Sequence, residues 1–154
     1  MIGRKDEINR LNLAFESNES EFVTIYGRRR IGKTFLVNET FGDKMSFRHA
    51  GVKNGTRTQQ LEQFRFSLRR QGRWDCPKLK SWMEAFFELE CLLEGLPEGR
   101  KVVFLDEMPW MDTVRSGFLI ALEGFWNGWA SARKDILLIA CGSATSWIVK
   151  NILR

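Results

Sequence analysis

Eight residues, Gly27-Arg28-Arg29-Arg30-Ile31-Gly32-Lys33-Thr34, constrain this chain more than any other stretch. They fit the spacing G-x-x-x-x-G-K-[ST] at every position. Upstream, Glu21-Phe22-Val23-Thr24-Ile25-Tyr26 is a β-branched and aromatic run that predicts a strand ending at Gly27. Downstream, Lys33 to Glu39 predicts the start of a helix. Two glycines let the backbone between strand and helix curl until successive N–H groups face one concavity, to which the helix N-terminus adds the positive end of its dipole. That is a cup for a polyphosphate. In it Lys33 reaches the β- and γ-phosphates, and the Thr34 hydroxyl is a ligand for Mg2+ bound to them. With ordinary Gly, Lys and Ser/Thr usage, such a pattern arises by chance in a chain of this length on the order of 1% of the time. A plain glycine turn beside solvated arginines is therefore the minority reading.

The remaining composition narrows the class. A chain of 154 residues and 18.0 kDa, with 44% hydrophobic residues, twelve Phe and six Trp, has enough apolar material for one packed domain spanning 1–154. The formal charge of +5 suits an anionic ligand, nucleotide or nucleic acid, without choosing between them. Cys76, Cys91 and Cys141 are widely spaced and form no C-x-x-C pair, so neither a disulfide framework nor a zinc site is expected. A single histidine, His49, argues against a His-based metal site or a Ser-His-Asp triad and reads as a structural residue at a strand end. The N-terminus has no apolar signal core and no run reaches the roughly 20 apolar residues of a membrane span, which places the chain most simply in a reducing cytoplasm.

Along the chain, strand and helix signals alternate. Ile8, Leu11 and Phe15 at helical spacing predict a helix over 6–17. Met45 to Ala50 predicts a second strand, and Thr56 with Gln59 a capping box opening the next helix. Ser81 with Glu84 predicts another capping box, before a core stripe of Trp82, Phe86, Leu89 and Leu93. Lys101 to Glu107, an unbroken apolar run ending in two carboxylates, and Asp135 to Cys141 show the pattern of strands buried on both faces of a parallel sheet. Between them the sequence predicts one long helix over 116–132, and Thr145 starts a last helix. The expectation is an α/β protein with a mostly parallel central sheet and helices on both faces, its ligand at the strand carboxyl ends. Gly27, Asp106-Glu107 and Ser143 all fall at such ends.

Carboxylates placed directly after a buried strand are costly unless a positive charge meets them. Mg2+ on Thr34 meets that need, which assigns Asp106 as the second metal-side residue and Glu107 as the group that orients and polarises an attacking water. A kinase acceptor brings its own nucleophile, so Glu107 favours hydrolysis. Ser143 reads equally well as a contact to the γ-phosphate or the water and as an ordinary turn residue before the helix cap at Thr145.

At this point the chain resembles the P-loop ATPases of the AAA+ and STAND type, nearest to the prokaryotic group called archaeal-type ATPases. Four pieces carry the resemblance: Ile2-Gly3-Arg4-Lys5-Asp6-Glu7, similar to that group's N-terminal opening; Gly27 to Thr34, its Walker A; Val102 to Glu107 with Met108-Pro109-Trp110, its Walker B; and Cys141-Gly142-Ser143, its sensor 1 position. The resemblance implies a three-layer αβα fold with strand order 5-1-4-3-2. It implies ATP with Mg2+ as ligand, held by Gly27, Arg28, Arg29, Arg30, Ile31, Gly32, Lys33, Thr34 and Phe35, with Ile2, Gly3 and Arg4 near the adenine. It implies a switch driven by nucleotide state, acting through oligomerisation or an effector domain. It also implies more chain than these residues: the fifth strand, an arginine finger and a helical lid are expected beyond Arg154, and the present chain is expected to bind nucleotide with weak turnover.

Two clusters stand outside these motifs. Arg69, Arg70, Arg73 and Trp74 read first as cations answering a helix C-terminal dipole and second as a nucleic-acid contact. Trp110, Trp126 and Trp129 read as core and interface residues.

Overall fold

The computed structural model describes residues 2–26, 32–142 and 145–152. Four strands, β1 (Glu21–Tyr26), β2 (Met45–Ala50), β3 (Lys101–Asp106) and β4 (Ile136–Gly142), form one sheet in the order β1-β4-β3-β2. Every neighbouring pair is parallel. This is the 1-4-3-2 portion of the expected order. The two unbroken apolar runs, β3 and β4, are the central pair, because only central strands are covered on both faces. β1 and β2 lie at the edges of the described sheet.

Seven helices flank these strands among the described residues: α1 (Ile2–Glu16), α2 (Lys33–Phe41), α3 (Arg57–Arg70), α4 (Trp82–Glu94), α5 (Met108–Met111), α6 (Phe118–Phe125) and α7 (Thr145–Asn151). Strand side chains alternate between the faces. Val102, Phe104, Leu137, Ile139 and Cys141 meet Leu11 of α1 and Leu36, Val37 and Phe41 of α2. Val103, Leu105, Leu138, Ala140 and Phe47 join the larger core under α3, α4 and α6. Three layers, αβα, follow.

The helix boundaries show what the local sequence decides. Thr56 and Gln59 form the predicted capping box of α3. Ser81 caps α4, but the Glu84 carboxylate accepts from Lys80 N–H at 2.9 Å, so the second box closes one residue early. α1 begins at Ile2, not residue 6. The helix predicted over 116–132 starts only at Phe118, because Gly117 takes the left-handed φ of 76°, and it widens into a π-helical stretch at Trp126–Ala130. That wider turn sets Trp126 against Phe22 at 5.3 Å and Trp129 against Phe125 at 5.5 Å.

Two glutamines fasten α3 to the β2 edge. Gln71 accepts from Arg48 N–H at 2.8 Å and donates to Arg48 C=O at 2.7 Å, taking the hydrogen bonds a further strand would make. Buried Gln60 does the same to Val52, at 3.0 and 2.7 Å. At the far end of the sheet Lys101 is buried and answered by Asp135 at 3.1 Å. Asp135 also accepts from Arg133, whose hydrogen bond does most to draw the carboxyl pKa down to about 2. Among the described residues no helix is long and apolar enough to cross a membrane.

Candidate functional site

The site lies where α2 starts and β3 ends. Gly32 adopts φ 67°, ψ 43°, a left-handed conformation that a side chain would resist, and its carbonyl accepts from Leu36 N–H at 2.9 Å to open α2. Lys33 follows at 6% exposure, a depth that a lysine reaches only when its ammonium has an anionic or polar destination. Thr34 comes next, and its Oγ1 donates to Asp106 Oδ2 at 2.5 Å. That contact joins two segments 72 residues apart.

Asp106 is fixed from several sides. Its Oδ1 accepts from Glu107 N–H at 2.9 Å, and its carbonyl accepts from Gly51 N–H at 2.9 Å, from the loop after β2. Glu107 sits at φ 48°, ψ 47°, a conformation uncommon for a non-glycine residue, and Pro109 in the first turn of α5 fixes the chain just after it. Such backbone strain persists only where neighbours hold it. Two glycines make room for it. A Cβ on Gly51 would stand 2.5 Å from the Glu107 carbonyl, and one on Gly142 would stand 2.7 Å from Pro109 Cδ. A glycine thus stands at the carboxyl end of each strand beside β3, Gly51 just after β2 and Gly142 closing β4, and the Glu107–Trp110 turn settles between them.

Gly32, Lys33, Thr34, Asp106, Glu107 and Trp110 line one cleft of about 320 Å³. The sequence motifs therefore converge as expected for these residues. Phe35, one turn into α2, is 61% exposed and stands off the cleft lining. Trp110 corrects its sequence reading: the turn at Pro109 puts it in the cleft wall. Gly27, Arg28, Arg29, Arg30, Ile31 and Ser143 lie outside the described residues. Ile2, Gly3 and Arg4 belong to the first turn of α1, and their side chains lie outside what is described. Sequence reasoning missed the part of Gly51, directly after β2, and of Gly142, the last residue of β4, in making room for this turn, although both glycines were there to be read.

A divalent cation suits this cleft by donor chemistry. The Thr34 hydroxyl and the Asp106 carboxylate are hard oxygen donors already at contact distance. Among the described residues no group of three or more His, Cys, Asp and Glu side chains could hold a metal alone, so phosphate oxygens would complete the shell. His49 takes no part: it is 5% exposed, its Nδ1 pairs with Ser67 Oγ at 2.7 Å, its ring meets Phe64 edge-on, and burial lowers its pKa to about 4.

No protein-family model matches the chain. An uncharacterized ATP-binding protein of Methanocaldococcus jannaschii is 35% identical over 43 residues, 28% of this chain and 73% of that protein. An uncharacterized protein of the same organism is 53% identical over 36 residues, 23% of this chain and 8% of its own length. Among solved structures, the Walker-type ATPase of Pyrococcus abyssi superposes with a TM-score of 0.66 at 18% identity over 97% of this chain. The chain spans 47% of that ATPase's length.

Proposed function

We propose, for a chain that belongs to the P-loop ATPases, that the cleft between α2 and the end of β3 binds ATP with Mg2+ and hydrolyses it, as the nucleotide core of an AAA+ or STAND-like switch. One observation carries the reading: Thr34 and Asp106 meet at 2.5 Å beside Lys33 in a cleft that Glu107 also lines. Thr34 Oγ1 and Asp106 Oδ2 would hold Mg2+, directly or through water, and the cation would supply charge to offset that of the phosphates. Lys33 Nζ supplies a second cation to the same phosphates. The Glu107 carboxylate accepts a hydrogen bond from the attacking water and draws off its proton as the bond to the γ-phosphorus forms and the bond from that phosphorus to the β–γ bridging oxygen breaks, with ADP as the leaving group. The strained turn at Glu107 keeps that carboxylate from swinging with an ordinary helix N-terminus.

The test is calorimetric binding of ATP with and without Mg2+, followed by phosphate release. Lys33→Ala is expected to lose binding, whereas Glu107→Gln keeps binding and loses about 10²–10³ of whatever turnover the parent shows. Release of inorganic phosphate with no acceptor present separates hydrolysis from phosphoryl transfer. Parent-like binding and turnover in both variants would overturn the assignment.

A further inference from the structure

Residues 51–80 contain eight lysines and arginines against two carboxylates, Glu62 and Asp75, so this short segment holds more than the whole chain's formal excess of +5. A charge run is ordinarily just a solvated face. This one is built into the fold. Arg57 Nη2 donates to the Lys80 carbonyl at 2.8 Å, Arg65 Nε to the Cys76 carbonyl at 2.9 Å, and Arg69 Nε to the Trp74 carbonyl at 3.0 Å. Three guanidinium groups of α3 thereby strap residues 74–80 against the helix. Their partners are main-chain carbonyls, which carry no formal charge, so these bonds fix the arginines in place without neutralising them. Each planar fork has five N–H donors, and these bonds use one. Arg73 differs, since Glu88 answers it at 2.7 Å.

On the strap, Lys78 and Lys80 are exposed and Trp74 is 73% exposed, with its carbonyl held by Arg69. Lys53, in the loop before α3, is exposed as well. Arg65 and Arg69 are one helical turn apart, about 6 Å along the axis. The face therefore offers three fixed guanidinium groups and exposed lysines next to one indole that stands in water on a backbone held by Arg69.

We propose that the face formed by α3, the loop before it and the 74–80 strap docks single-stranded nucleic acid, with Lys53, Arg57, Arg65, Arg69, Lys78 and Lys80 toward phosphates and Trp74 stacked on a base. A repeating polyanion matches uncompensated cations at fixed spacing, and guanidinium forks fit phosphate oxygens in pairs. The indole selects the single strand: a duplex keeps its base faces covered, whereas an unpaired base offers one to an aromatic ring. An anionic membrane fits less well, because surface binding of that kind needs an apolar stripe beside the cations, and among the described residues of α3 and the strap Trp74 is the one exposed large apolar side chain. The face also runs toward the nucleotide site. Ser67, Arg70 and Gln71 of α3 line a second cleft, of about 340 Å³, whose other wall includes Thr34 and Asp106. The proposal stands independently of the ATP reading.

The test is fluorescence anisotropy of a labelled 16-nucleotide oligo(dT), titrated with the whole chain between 50 and 300 mM KCl. The parent is expected to show a linear fall of log K with log salt, about −0.7 per phosphate contact. Replacing the strap and loop lysines together (Lys53→Gln, Lys78→Gln, Lys80→Gln) should make the slope shallower by about two. Removing three lysines elsewhere (Lys5→Gln, Lys44→Gln, Lys150→Gln) should leave it near the parent's. Trp74→Ala should weaken binding about tenfold at every salt concentration with the slope unchanged. Both the lysine and the tryptophan variants should bind ATP as the parent does. The proposal is overturned by a parent that does not bind at 50 mM KCl, by equal slope changes in the two lysine triples, or by parent-like binding of Trp74→Ala. Equal affinity for phosphatidylserine vesicles, indifferent to Trp74→Ala, would assign the face to membrane instead.

Discussion

The two faces of the sheet are packed by different means. Under α3, α4 and α6, rings interlock: Phe64 meets Trp82 at 5.3 Å, Trp82 meets Phe118 at 4.9 Å, and Phe86 meets Phe125 at 5.2 Å. Under α1 and α2 the core is mostly aliphatic, with one stacked pair among the described residues, Phe15 on Phe41 at 5.6 Å. The catalytic candidates belong to the thinner side or to the sheet's end: Lys33 and Thr34 start α2, and Asp106 and Glu107 leave β3. The contrast separates two tasks. The aromatic face supplies stability, and the α2 face leaves a helix N-terminus open to a charged ligand.

The sharpest way to break that division is to open a cavity on the aromatic side. Phe86→Ala should cost about 3–5 kcal/mol in thermal or urea unfolding, while ATP affinity of the folded fraction stays at the parent value. A matched loss of affinity would show that the two faces are coupled.

Acid should act on the same face through His49. Its pKa is about 4 when folded and 6.5 when exposed, so the unfolded chain takes up the proton first. Stability is therefore intact above about pH 6.5 and falls as the pH drops toward 4, by on the order of 3 kcal/mol in all. In His49→Phe, melting temperature should decline far less across that window; an unchanged pH profile would remove His49 as the cause. Asp135 acts lower. Its carboxyl is held at about 2, so its contribution is present above the ordinary carboxylate range and disappears only as the pH falls through 2.

A smaller effect probes the site's own support. Gly51→Ala forces a Cβ to within 2.5 Å of the Glu107 carbonyl and should cost about 1–3 kcal/mol. Because the strain falls on the turn that carries Glu107, turnover should drop by a larger factor than ATP affinity. Equal losses in both would place the glycine's role in folding alone.

Much of this was legible in the sequence because the signals were physical and local. Continuous apolar runs named β3 and β4 as strands buried on both faces, and the glycine-lysine-threonine motif pointed to the cleft that Gly32, Lys33 and Thr34 line. What stayed hidden depends on tertiary contact. Nothing in Ser116 to Ala132 announces that Gly117 delays the helix or that Trp126 needs a wider turn to reach Phe22. Trp110 looked like core because its neighbours in sequence are apolar; its place in the cleft follows from Pro109 and the turn squeezed between Gly51 and Gly142. No sequence signal marks Gln60 or Gln71, yet Gln71 stands in for a strand along β2 and Gln60 pairs in the same way with Val52 just beyond it. Arg69, Arg70 and Arg73 read as answering a helix dipole; Arg69 and Arg70 do lie in the last turn of α3, and the structure adds that Arg69, with Arg57 and Arg65, holds a strap.

The central claim is that Thr34 and Asp106 come together to hold a cation on ATP. Electron paramagnetic resonance of Mn2+ in the presence of ATP tests it most directly. The account predicts about one tightly held Mn2+ per chain, with affinity falling at least tenfold in Asp106→Asn and in Thr34→Ala while both remain folded. Unchanged Mn2+ binding in both variants would contradict it.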